Sequence, residues 1–158
     1  METYTPQALQ AMREQFRRQH YPEIHAEIEG IPFSYFVLPQ SLNPDLEDFA
    51  FCMQHEQDRT QHLYGVSDNL PEHLRPFWAV HEVIEYREHE TTRGRCRRAL
   101  KRELTMIPQT LQEEYLPRRR AFFARLIAYA SQHGYAQDDI NEFRASLEHL
   151  EQECKDKL

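Results

Sequence analysis

Glu23-Ile24-His25-Ala26-Glu27-Ile28-Glu29-Gly30-Ile31-Pro32-Phe33-Ser34-Tyr35-Phe36-Val37-Leu38-Pro39 is the stretch in which the hydrophobic period drops to two. Ile24, Ala26 and Ile28 alternate with His25, Glu27 and Glu29, Gly30 breaks the run, and Phe33, Tyr35 and Val37 alternate again. Alternation on both sides of a glycine reads as a β-hairpin. It is the one clear β signal in the chain. Everything around it repeats at three and four, the period of an α-helix. Thr5-Pro6 is a cap followed by a proline at the first helical position, and Leu9, Met12 and Phe16 make one face. A first helix is expected from Pro6 to about His20.

After the hairpin, Asn43-Pro44-Asp45 reads as a helix start, with Leu46, Phe49, Ala50 and Met53 on one face. Gly65 to Asn69 reads as a turn. Pro71 opens a short helical piece and Pro76 a longer helix to about Glu90, while Thr92 is a candidate cap for the next helix. Pro108 and Pro117 punctuate the segment that follows, and Gly134 suits a helix C-terminus. From near Asp138, Ile140, Phe143, Leu147, Leu150 and Cys154 form a short a/d seam. That seam serves either the chain's own core or a homodimer through the C-terminal helix. The expectation is an α+β fold, a mostly helical single domain over residues 1–158 with a small antiparallel sheet whose hairpin lies near 23–38.

Composition narrows the class. In 158 residues, 40% are hydrophobic and 11% aromatic, enough to build a core, and the formal net charge is -7. Four glycines argue against Gly-rich phosphate loops. No run approaches the roughly 20 apolar residues of a membrane span, and METYTPQALQ lacks a signal-peptide pattern. Cys52, Cys96 and Cys154 are odd in number, far apart and without a CxxC pair, so neither a disulfide framework nor a Cys-rich zinc site is expected. A cytoplasmic location is expected. Nine histidines are the unusual count, and imidazole suits metals and proton transfer.

The chemistry concentrates in Phe77-Trp78-Ala79-Val80-His81-Glu82-Val83-Ile84-Glu85-Tyr86-Arg87-Glu88-His89-Glu90. On a helical wheel His81, Glu82, Glu85, Glu88 and His89 share one sector, opposite Ala79, Val80, Val83 and Ile84. His81 and Glu85 are one turn apart, so an imidazole and a carboxylate can hold one divalent cation, zinc or another. Glu82 stands where a general base would deprotonate a metal-bound water. His89 is the other candidate ligand. It pairs with Glu85, but lies roughly 12 Å along the axis from His81, too far for all three to converge. The alternative is a plain solvated face. A di-iron bundle needs two Glu-x-x-His pairs on facing helices, and the spacing does not supply them.

The order of elements over residues 6 to 108, with His81-Glu82-x-x-Glu85, resembles the minimal zincin-like metallopeptidases. In these an N-terminal helix and a small sheet precede a HExxH helix, and Glu85 stands here where that family has its second His. The resemblance implies a hydrolase with His81 and Glu85 as ligands, Glu82 as base, a peptide or small-molecule substrate and a third, acidic ligand from a later helix. Glu103, Glu113 and Glu114 are candidates for that ligand.

From Arg93 to Arg102 the chain carries six basic residues and no acid, and Arg95, Arg98 and Arg102 line one helical face. Arg118, Arg119 and Arg120 are candidates to extend it. This supports the alternative function, a non-catalytic protein whose basic helix 93–102 contacts an acidic partner or nucleic acid. The net negative charge disfavours general nucleic-acid binding. A solvated face paired with the chain's own acids is the simpler reading.

Overall fold

In the computed structural model, which describes residues 2–88 and 93–158, helices pack around a five-stranded mixed sheet, an α+β architecture. The strands are β1 (Thr3–Tyr4), β2 (Glu23–Ile28), β3 (Ile31–Leu38), β4 (Ala50–His55) and β5 (Leu63–Ser67), in the order β1-β4-β5-β3-β2. The helices are α1 (Pro6–Arg18), α2 (Arg75–Val83), α3 (Arg95–Thr105), α4 (Gln112–Gln132) and α5 (Gln137–Lys157).

Local chemistry explains the parts that were anticipated. Thr5 Oγ1 accepts from the Ala8 amide at 3.1 Å and starts α1. The hairpin pairs Ile24 with Tyr35, Ala26 with Phe33 and Ile28 with Ile31. Gly134, at φ +70°, follows the end of α4. The α5 seam folds back on the chain itself. Ile140, Leu150 and Cys154 are buried, Phe143 and Leu147 pack against the core, and the neighbours are α3 and α4.

Two expectations are overturned. Residues 43–53 form no helix. Gln40 holds the loop instead, donating through Nε2 to the Asn43 and Leu46 carbonyls and accepting from the Asp48 amide, each at 2.9 Å. The chain then enters β4. The three-and-four spacing of Leu46, Phe49, Ala50 and Met53 arises because a loop and a strand both bury apolar groups. Likewise 65–67 is no turn but three of the five residues of β5, a strand buried throughout. A Cβ at Gly65 would meet the Phe51 ring at 2.5 Å, so this glycine serves close packing rather than a bend. The sheet is therefore larger than the hairpin suggests, and it is mixed. β4 runs antiparallel to β5, while β1–β4 and β3–β5 are parallel.

The sheet has cover on both faces. Phe36 of β3 meets Phe16 of α1, ring centroids 5.1 Å apart. Phe36 lies opposite Gly65, so Tyr64, one residue earlier, points to the other face. There α2 packs on β3, β4 and β5. Trp78, Ala79, Val80 and Val83 of α2 are buried. The helix then widens into a π-turn over Ile84–Glu88. Such turns often mark functional sites because they re-aim side chains.

Candidate metal centre

His81 lies buried at the last turn of α2, with both ring nitrogens engaged. Nδ1 is 2.7 Å from Glu103 Oε1 on α3, and Nε2 is 3.0 Å from Glu85 Oε2 on the π-turn. Cys96, on the first turn of α3, brings its Sγ to 3.7 Å from the same Nε2. Among the described residues His81, Glu85 and Cys96 form a group whose ligand atoms all lie within 4.8 Å of one another. A tetrahedral zinc with ordinary Zn–N, Zn–O and Zn–S bonds sets its donors roughly 3.4–3.6 Å apart. The separations of 3.0 Å and 3.7 Å lie on either side of that range. These residues can hold a metal ion.

Further groups hold the ligands in place. Glu103 is fully buried and accepts from Arg119 Nε and Nη2, both at 2.9 Å, and from the Tyr115 hydroxyl. The Arg119 guanidinium lies 4.3 Å from the Trp78 ring centroid. A carboxylate fixed in this way orients the imidazole through Nδ1 and leaves Nε2 as the ligating atom. Glu85 Oε1 accepts from Arg95 Nε at 3.3 Å, leaving Oε2 turned toward His81. Ser146 of α5 donates to Cys96 Sγ at 3.3 Å.

Without a metal, these groups need protons. A neutral imidazole donating from Nδ1 would set the Nε2 lone pair against a carboxylate. Burial lowers the His81 pKa, but its hydrogen bonds to Cys96, Glu103 and Glu85 outweigh that and hold it well above the ordinary value. Burial raises Glu85 as well, yet His81 and Arg95 bring it below the usual carboxylate range. Burial and then the Glu85 charge push the Cys96 thiol up. The metal-free site is thus an imidazolium between two carboxylates, beside a protonated thiol. A divalent cation replaces the proton on Nε2 and the one on sulfur.

Glu82 has a different environment. Burial, followed by the Glu85 charge, raises it to about 7. It keeps partial exposure into a cavity of about 240 Å³ whose walls include His81, Glu85, Cys96, Tyr86 and Phe123. Glu85 and Cys96 also line a second cavity of about 430 Å³ between the π-turn and α5.

The other anticipated residues fall elsewhere. His89 lies outside the described residues, as does the expected cap Thr92. Glu103 reaches His81, but on the ring nitrogen opposite the ligand group. Glu113 is exposed, and Glu114 is 2.9 Å from His73 Nε2 on the surface. Arg95 does not share a solvent face with Arg98 and Arg102. It is buried against Glu85 and stacks 4.4 Å from the Tyr86 ring centroid, while the other two stay exposed. Nor do Arg118 and Arg119 extend a basic surface, since Arg118 is bidentate on Asp48 and Arg119 is buried on Glu103.

Cys96 is the member of the group that sequence reasoning did not select. Its signal was a lone cysteine fifteen positions after His81, just beyond the candidate helix. All three cysteines are free. Among the described residues no helix is long and apolar enough to cross a membrane. Comparison with protein-family models, curated proteins and solved structures finds no match.

Proposed function

We propose that this chain is a divalent-metal-dependent hydrolase of zincin-like design acting on a peptide or other small acyl substrate. His81 Nε2, Glu85 Oε2 and Cys96 Sγ are the ligands, and zinc is the metal their chemistry suits best, imidazole and thiolate being its usual donors. The observation that carries this reading is the convergence of those three atoms beside a cavity, with His81 oriented from behind by Glu103. Three protein ligands leave a fourth tetrahedral position, and a metal there would lower the pKa of a bound water to about 7. Glu82 follows His81 in sequence and lines the same cavity, which makes it the candidate acceptor for that proton. A reducing cytoplasmic setting would keep Cys96 available as a ligand.

A second reading has its own support. Arg95 and Arg119 already neutralise Glu85 and Glu103, which is how a purely structural network is built. Elemental analysis of protein purified without a histidine tag separates the two. One zinc per chain, lost in His81→Ala and Cys96→Ser, supports the metal site. Cobalt substitution should then give a sulfur-to-metal charge-transfer band that Cys96→Ser removes. Glu82→Gln should keep the metal and lose hydrolysis of a fluorogenic peptide mixture. Protein that takes up no zinc, cobalt or manganese would overturn the proposal and leave the structural network.

A further inference from the structure

A second site lies where the sheet parts. β3 pairs with β5 only over Phe36–Leu38 and Gly65–Ser67. Upstream of that register the two strands separate, and a cleft of about 500 Å³ opens between residues 32–36, the 60–64 segment and α1. That volume is typical of a small-molecule site. Because the sheet is open here, groups from both faces reach the cleft. Arg13 and Arg17 come from α1, and Arg87 comes from the π-turn on the other side.

The charge of the cleft is opposite to that of the chain. Three guanidiniums face one carboxylate, Glu23, so the lining Arg and Glu side chains leave two formal positive charges, in a protein of net charge -7. Glu23 is committed to Arg17, at 3.2 Å. Arg13 donates through Nη2 to the Gln61 carbonyl at 2.7 Å, and Arg87 donates through Nη1 to the Pro32 carbonyl at 2.9 Å. Each guanidinium has five N–H donors, so most remain for another acceptor.

One buried polar atom is left without a hydrogen bond at the inner end, Nε of Arg87. The Arg87 guanidinium lies against the Tyr64 hydroxyl, close enough to oppose the upward push of burial on its acidity, so Tyr64 helps to hold Arg87 at this wall. Orphaned buried donors are costly and rare, and one explanation is an acceptor that the protein itself does not provide. His62 does not supply it. Its Nδ1 accepts from the His55 amide at 2.8 Å and its Nε2 meets the Tyr86 carbonyl at 3.2 Å, so this ring is neutral and fully used.

We propose that this cleft binds a small molecule bearing a phosphate monoester, with Arg13, Arg17 and Arg87 gripping the phosphate and Tyr64 positioning the Arg87 guanidinium behind it. Guanidinium forks match phosphate oxygens in pairs, and a dianion with three terminal oxygens uses a three-arginine clamp better than a carboxylate does. Ser34 and Thr60 add hydroxyl donors at the wall, and Phe33 and Phe36 give the body of the ligand an apolar surface. The site is separate from the His81 group and does not depend on metal.

The test is calorimetric titration of the full chain with phenyl phosphate and with benzoate at one ionic strength. Saturable 1:1 binding of phenyl phosphate, tighter than that of benzoate, is expected. Arg87→Met should weaken it by roughly tenfold or more and Tyr64→Phe by roughly threefold. Arg102→Met, which removes an exposed arginine far along α3, should change nothing. Should Arg87→Met fail to fold by circular dichroism, Arg13→Met carries the same expectation. Equal binding of benzoate, unchanged affinity in Arg13→Met and Tyr64→Phe, or no saturable binding would overturn the proposal.

Discussion

Replacing Arg119 with methionine removes a cation but keeps most of the side-chain length. Arg119 is 2% exposed and Glu103 is 0% exposed, with two bonds of 2.9 Å between them. Without the guanidinium, Glu103 retains His81 and Tyr115 as partners but loses its permanently charged one. Stranding one member of a buried pair costs roughly 3–5 kcal/mol. In a domain whose whole stability is about 5–15 kcal/mol, that is a large fraction. At about 2–4 °C per kcal/mol for this size, the melting temperature should fall by roughly 6–20 °C. Urea unfolding followed by far-ultraviolet circular dichroism is the suitable assay, because Trp78 lies under Arg119 and its fluorescence would change for local reasons. Glu103→Gln combined with Arg119→Met should recover roughly 1–3 kcal/mol relative to strict additivity.

The pH dependence of Arg119→Met carries a sign. In the wild type, burial pushes Glu103 up, but Arg119 and His81 outweigh burial and hold it below its ordinary 4.5. Its contribution is therefore present above pH 4.5 and is lost as pH falls through the folded value. In the variant His81 alone opposes burial, so the part of that contribution supplied by Arg119 is gone. The deficit should thus shrink as pH falls below 4.5. A loss under about 1 kcal/mol, or a deficit that grows on acidification, would refute the reasoning.

Glu82→Gln should stabilise metal-free protein at pH 8 by roughly 2 kcal/mol, less than a full shift implies because the side chain is partly exposed. The folded value near 7 against an ordinary 4.5 means the stability is present below 4.5 and lost as pH rises toward 7, so the variant should flatten thermal denaturation curves across that window. Zinc binding should release close to two protons at pH 7, one each from His81 and Cys96, read from the buffer dependence of the calorimetric heat; release near zero would contradict the protonation scheme. Gly65→Ala should cost about 1–3 kcal/mol in urea unfolding, since the added carbon meets the Phe51 ring, and a neutral result would show that the ring moves freely.

The sequence made the hairpin, α1, α5 and the His81–Glu85 pair legible, each through a local period or cap. β4 and β5 were hidden for opposite reasons. Residues 46–53 imitate a helical stripe, and Gly65 looks like a turn until its neighbour Phe51 is placed beside it. The ligand group was half visible. His81 and Glu85 share a helix, whereas Cys96 reaches them only through the geometry between the π-turn and α3. Arg95 was misread for a related reason. A run of six basic residues suggests solvent, and only tertiary packing shows that one of them serves Glu85.

The π-turn has a consequence beyond the single site. An α-helix advances about 100° per residue, and a wider turn advances less. Over Ile84–Glu88 that difference sets the angular offset between Glu85, facing the ligand group, and Arg87, facing the cleft. Deleting one residue from this segment would restore ordinary helical phase. It would keep His81 in place while swinging everything after the deletion out of alignment. The extra residue therefore behaves as a fixed gear tooth, keeping two surfaces of one small protein in register.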